Sequence, residues 1–265
     1  MRKHLGSLIA AVIKVGGVGL KLLKSVKVLK VGMAGASLAA YSWMFTLEFA
    51  IILITALVIH EYGHLRAMHA CGIPTKGIFL IPFLGGAAVA EEGFASRRDE
   101  SYCAMMGPVW GLGTAILPAL LCLFYPHPAL AGVASFIALM NLFNMLPINP
   151  LDGGRVIKSI AFSLDSRLGI AVLMLGMLAV FAGMLFLNIG LFLLIGFIAA
   201  LELTSEWYSL QRKDRLRTKP RMSTSQATLH FACYISLVVS FLAVIRWAAE
   251  TRGAEVALKA LAEGN

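Results

Sequence analysis

Residues 49–68 read FAIILITALVIHEYGHLRAM, and this stretch decides what kind of chain this is. An uncharged run over 49–59 leads without a break into His60-Glu61-Tyr62-Gly63-His64, the pattern H-E-x-x-H. On a helix, side chains four residues apart share a face, so the two imidazoles can meet one metal ion. Glu61 is turned about 100° from His60, placed to miss the ion and to act as a base toward water beside it. Between Lys30 and His60 the only charged residue is Glu48. Two histidines and a carboxylate at the end of so apolar a segment are costly without a task. The alternative is that they are polar side chains packing the interior of a helix bundle.

Working outward, the 265 residues are 59% hydrophobic and 14% charged, with a mean hydropathy of +0.82. That balance excludes an ordinary soluble domain and implies a polytopic membrane protein. As one helix, 31–68 would be about 57 Å long against a hydrocarbon core of about 30 Å. Two spans turning near Glu48 fit better. Residues 101–151 hold no Lys, Arg, Asp or Glu, and Pro126-His127-Pro128 divides them into spans near 101–124 and 129–149, with His127 a turn residue. The run 168–201 divides near Asn188-Ile189-Gly190, and a last span covers about 229–247. The expectation is an all-α polytopic membrane protein with about seven transmembrane helices. Residues 77–90, too short for a helical span and punctuated by Pro82 and Gly85-Gly86, read as a small membrane-associated β-hairpin insert or as an interfacial loop.

The net charge of +9 could suggest nucleic acid, but its distribution follows the bilayer instead. Lys and Arg number seven in 1–30, four in 66–98, three in 155–167 and six in 212–221, against three from 246 onward. With the N-terminus in the cytoplasm, the four rich segments all lie on the cytoplasmic side, as the positive-inside rule requires. The partners implied are the lipid bilayer and no nucleic acid. Residues 1–30 form a basic segment, lying on an anionic leaflet or left as a cytoplasmic tail. Residues 31–158 then make a transmembrane core with the insert at 77–90, residues 159–248 accessory helices, and 249–265 a tail. Cys71, Cys103, Cys122 and Cys233 have no zinc-type spacing and read as free thiols.

This topology brings a second place to the depth of His60 and His64. The span before it ends Asn144-Met145-Leu146-Pro147-Ile148-Asn149-Pro150-Leu151-Asp152-Gly153-Gly154, where the prolines stop a helix and Gly153-Gly154 lets the chain turn closely. Asp152 reads either as a cap for the next helix or as a third metal ligand, since a catalytic zinc site takes three protein ligands and keeps one position open. His69 is a weaker alternative ligand.

The pair of motifs, H-E-x-x-H and N-x-x-P-x-x-P-x-D-G, resembles the site-2 proteases, zinc metalloproteases that cut within the membrane. Gly107-Pro108 is similar to that family's G-P element, and the resemblance covers about 45–158. It implies a metalloendopeptidase with one Zn2+ per chain held by His60, His64 and Asp152. It implies Glu61 as catalytic base and Asn144 as the amide that steadies the substrate carbonyl, and a hairpin that presents an unwound substrate. The substrates implied are single-span membrane proteins or signal-peptide remnants, and the location a bacterial inner membrane with the site toward the cytoplasm. Two features depart from the family. Val109-Trp110-Gly111 follows Pro108 where many members carry a further Asn, and no segment has the length of a PDZ or CBS domain, so the type expected is the compact one. A metal-ion transporter and an inactive membrane scaffold are the competing readings.

Overall fold

The computed structural model describes residues 26–83, 85–187, 191–211, 219–251 and 253–264. In chain order its elements are α1 (Val26–Met44), α2 (Leu47–Ala70), β1 (Thr75–Ile81), β2 (Gly85–Ala90), α3 (Arg97–Phe124), α4 (Pro128–Asn144), α5 (Asp152–Leu164), α6 (Ser166–Leu187), α7 (Leu191–Gln211), α8 (Thr224–Glu250) and α9 (Ala254–Glu263). Among the described residues, four helices are long and apolar enough to cross a membrane: α2, α3, α6 over Ser166–Gly183, and α8. α4 is as apolar but has 17 residues, because the chain leaves the helix at Asn144, ahead of Pro147. Residues 1–25 of the expected basic segment 1–30, the break at 188–190 and most of the basic loop 212–221 lie outside the described residues, while 26–30 open α1.

The helix boundaries follow local chemistry. The turn between α1 and α2 falls at Phe45-Thr46, just ahead of Glu48, because Thr46 caps α2 by accepting the Phe49 N–H at 3.2 Å. Glu48 sits in the first turn of α2, where the helix dipole favours a negative charge. Ser96 caps α3 and Ser223 caps α8 in a reciprocal box with Gln226. His127 is the exposed cap of α4, accepting from the Ala129 N–H, which is the turn role its sequence suggested.

The β1–β2 hairpin is an antiparallel pair in register Ile78↔Ala88 and Phe79↔Ala87, beginning two residues before the expected 77. Gly85 and Gly86 belong to β2 itself, and the turn is made around Pro82-Phe83, where Phe83 takes a positive φ of 64°. α1 covers β1, with Lys30 over the Phe79 ring at 5.1 Å from its centroid.

The main core joins α2, α3, α4, α5 and α8 through Ala56, Ala104, Ala138, Met145, Val156 and Phe241. Small residues at these crossings let helices approach closely where lipid supplies no hydrophobic drive for association. α8 is thus part of the packing around the His60–His64 stretch, and its Tyr234 hydroxyl donates to the Met145 carbonyl at the end of α4 at 2.7 Å. The tail holds a helix the sequence reading did not anticipate. α9 packs on α4 at Gly132, and the Ala262 carbonyl near its end accepts the Thr46 N–H at 2.9 Å.

Candidate metal centre

His60 and His64 project from one face of α2, one turn apart, as their spacing requires. Asp152 reaches them from the first residue of α5. The cap of α5 is Leu151, with no side-chain capping bond, so Asp152 does not cap its helix. Its Oδ2 lies 3.0 Å from His60 Nε2 and 3.2 Å from His64 Nε2, and the two Nε2 atoms are 3.1 Å apart. Among the described residues these three form the one cluster of His, Cys, Asp and Glu able to hold a metal ion. The three ligands expected from sequence are therefore brought together.

The hydrogen bonds behind the rings decide what the rings offer. His60 Nδ1 meets Asn141 Oδ1 at 2.8 Å, and His64 Nδ1 meets the Cys103 carbonyl at 2.7 Å. The Asn141 amide nitrogen donates to the Ile137 carbonyl at 2.8 Å, which leaves its oxygen for His60. Both Nδ1 atoms thus face acceptors and carry their protons, so both Nε2 lone pairs point inward. With the carboxylate they make three acceptors converging on one point, a donor set that fits Zn2+ and needs a cation to balance it.

Room for the rings comes from the G-P element. A Cβ on Gly107 would lie 2.2 Å from His64 Nε2 and 2.8 Å from His60 Nε2, so α3 can pass the centre only with glycine there. One turn on, Gly111 leaves the space that the Asn141 amide fills. The sequence reading found the position after Gly107-Pro108 lacking its amide and overlooked Asn141 on α4. No spacing within one segment points to it; its complete burial inside a run without charge, three residues before Asn144, emerges only with the fold.

Glu61 is buried beside the centre and donates nothing to it; its Oε2 accepts the Ala88 N–H of β2 at 2.7 Å. β2 comes this near because Gly86 has no side chain: a Cβ would fall 2.6 Å from Glu61 Cγ. Asn144 stands half-buried as the last residue of α4, with no side-chain hydrogen bond to another described residue. His69 is exposed and bonds Thr75 Oγ1 at 2.9 Å, outside the cluster.

Among curated proteins the chain is similar to a Synechocystis protein named provisionally as a zinc metalloprotease, 32% identical over 62% of this chain and 44% of the relative. It is 25% identical to a zinc metalloprotease of Methanocaldococcus jannaschii, over 56% of this chain and 44% of that one. It is 31% identical to stage IV sporulation protein FB of Bacillus subtilis, over 44% and 43%. The similarity is to the site-2 protease family. The chain spans under half the length of these relatives, and no family model matches it. Site-2 protease relatives together with the apolar helices make this a multi-pass membrane protein, and the His-His-Asp donor set agrees with the zinc in the names of the Synechocystis and Methanocaldococcus relatives.

Proposed function

We propose that the chain is a zinc-dependent intramembrane endopeptidase that hydrolyses peptide bonds in or near the transmembrane segments of single-span membrane proteins. The observation that carries this reading is the convergence of His60 Nε2, His64 Nε2 and Asp152 Oδ2 with both Nδ1 atoms tied to acceptors and a carboxylate, Glu61, one residue along. Zinc held by these three groups supplies Lewis-acid polarisation of a peptide carbonyl and makes water a stronger acid. Asn141 and the Cys103 carbonyl keep the imidazoles in the tautomer that binds metal. The Ala88 N–H holds one Glu61 oxygen, and the other takes the proton of the attacking water and passes it to the leaving amine. Asn144 donates its amide to the oxygen that gains charge in the transition state.

A helical substrate hides its carbonyls in i→i−4 bonds, so it must unwind before it reaches this centre. β2 supports one route. Its Ala88 N–H points away from β1 and toward Glu61, so an extended substrate adding to that edge would run beside the base. The charge distribution supports seven spans, an inner-membrane location and a site on the cytoplasmic side. The test is zinc analysis with a cleavage assay on protein reconstituted in liposomes with single-span substrates. About one zinc per chain is expected, with cleavage lost on chelation and regained on adding zinc. Zinc flux without cleavage would make the chain a transporter, and zinc-free protein that binds helices would make it a scaffold.

A further inference from the structure

Beyond the metal centre lies a second cluster of buried polar groups, and it is tied to the turn that carries Asp152. Lys158 of α5 is 1% exposed, with its ammonium on Glu100 Oε1 of α3 at 2.6 Å and also on Glu202 Oε1 of α7. The other Glu202 oxygen accepts the side-chain N–H of Asn149. Asn149 is buried, its Oδ1 has no partner among the described residues, and the bond to Glu202 is the one tie its side chain makes among them. Asn149 precedes Asp152 by three residues and Lys158 follows it by six. One carboxylate therefore holds the chain on both sides of the third ligand.

We propose that Glu202 is a positioning residue for Asp152: through Asn149 and Lys158 it fixes the turn and the helix start from which the ligand carboxylate reaches His60 and His64. The proposal rests on the zinc-site reading. It makes the accessory helix α7 part of the metal centre's support, since Glu202 and Glu206 (which clasps Arg97 of α3 at 2.7 and 2.8 Å) join α7 to the catalytic core. A ligand carboxylate needs such fixing because it comes from a turn, whereas the two imidazoles are set by a single helix.

The experiment is a charge-swap cycle on the full chain, read by zinc affinity in chelator competition and by the visible spectrum of the cobalt-substituted protein. Asn149→Asp sets two carboxylates against each other and should weaken zinc about 10- to 100-fold and alter the cobalt spectrum. Glu202→Gln, which keeps an amide acceptor, should cost less. The double variant restores one donor facing one carboxylate, and should return zinc affinity to within about threefold of the parent and restore the spectrum. Should Asn149→Asp fail to accumulate, Asn149→Ala crossed with Glu202→Ala should show losses that do not add. Additive losses in either cycle, or an unchanged zinc affinity and cobalt spectrum with only a lower unfolding temperature, would overturn the proposal while leaving the metal site standing. A parent protein that binds no zinc would instead overturn the reading on which it rests.

Discussion

Two clusters of buried polar side chains share the α5 helix, and they balance their charge in opposite ways. Around Lys158 the chain supplies both signs: Lys158, Lys219 and Arg97 stand against Glu100, Glu202 and Glu206, each cation within hydrogen-bonding reach of a carboxylate. Burial works to strip the Lys158 proton, but the Glu100 and Glu202 carboxylates outweigh it and hold its pKa above the ordinary lysine value. Around Asp152 the chain supplies acceptors only, two imidazole lone pairs and a carboxylate oxygen. The first cluster is complete as covalent chain and serves the fold and, through Glu202, the placing of Asp152. The second is complete only with a cation, as the proposed zinc chemistry requires.

The largest effect expected from this contrast is at the second cluster. Asp152→Ala should lose zinc and cleavage together, with activity down at least about 1,000-fold, because two imidazoles alone bind zinc weakly. Full zinc and full activity in that variant would remove Asp152 from the ligand set. In the first cluster, Lys158→Met should weaken zinc less than Asp152→Ala does because all three donors remain, and should leave Glu202 without a cation among the described residues and Glu100 with only Lys219 and Arg97, at a cost of about 3 kcal/mol in stability. Thermal unfolding of the purified protein measures it, and an unchanged transition would mean the ion pairs do not hold the fold. Asn141→Ala should fall between, weakening zinc about 10- to 100-fold with little change in unfolding. If Asn141 mattered to folding alone, the two readouts would reverse.

The smallest effect concerns the hairpin. Ala88→Pro removes the N–H that Glu61 accepts without breaking the β1–β2 ladder, because that N–H does not point to β1. Cleavage should fall about tenfold with zinc retained, and Ala88→Gly should be nearly silent. Equal rates in the two variants would separate β2 from the catalytic step.

The first contrast also explains what the sequence could disclose. H-E-x-x-H needs only helical spacing to make its site, so His60, Glu61 and His64 were legible at once. Asp152 was legible as a ligand or a cap, and the choice waited on Leu151 taking the cap position. Asn141 and Glu202 were not legible, because each acts across a helix contact that no spacing within one segment encodes. The hairpin was foreseen, and of the residues read as punctuating it Pro82 lies at the turn, while Gly85-Gly86 serve as the bare stretch of β2 beside Glu61. Hydropathy foresaw the long apolar helices, while α9 and the amphipathic α5 carry too few apolar residues in a row to register as spans.

The central claim is that three side chains hold the metal while a fourth does the proton transfer. Glu61→Gln tests it most directly, since it keeps the shape of the side chain and removes only its basicity. The purified variant, assayed in liposomes beside the parent, should carry about one zinc per chain and cut a membrane-embedded substrate at least about 100-fold more slowly. Loss of zinc in this variant, or cleavage at the parental rate, would contradict the account.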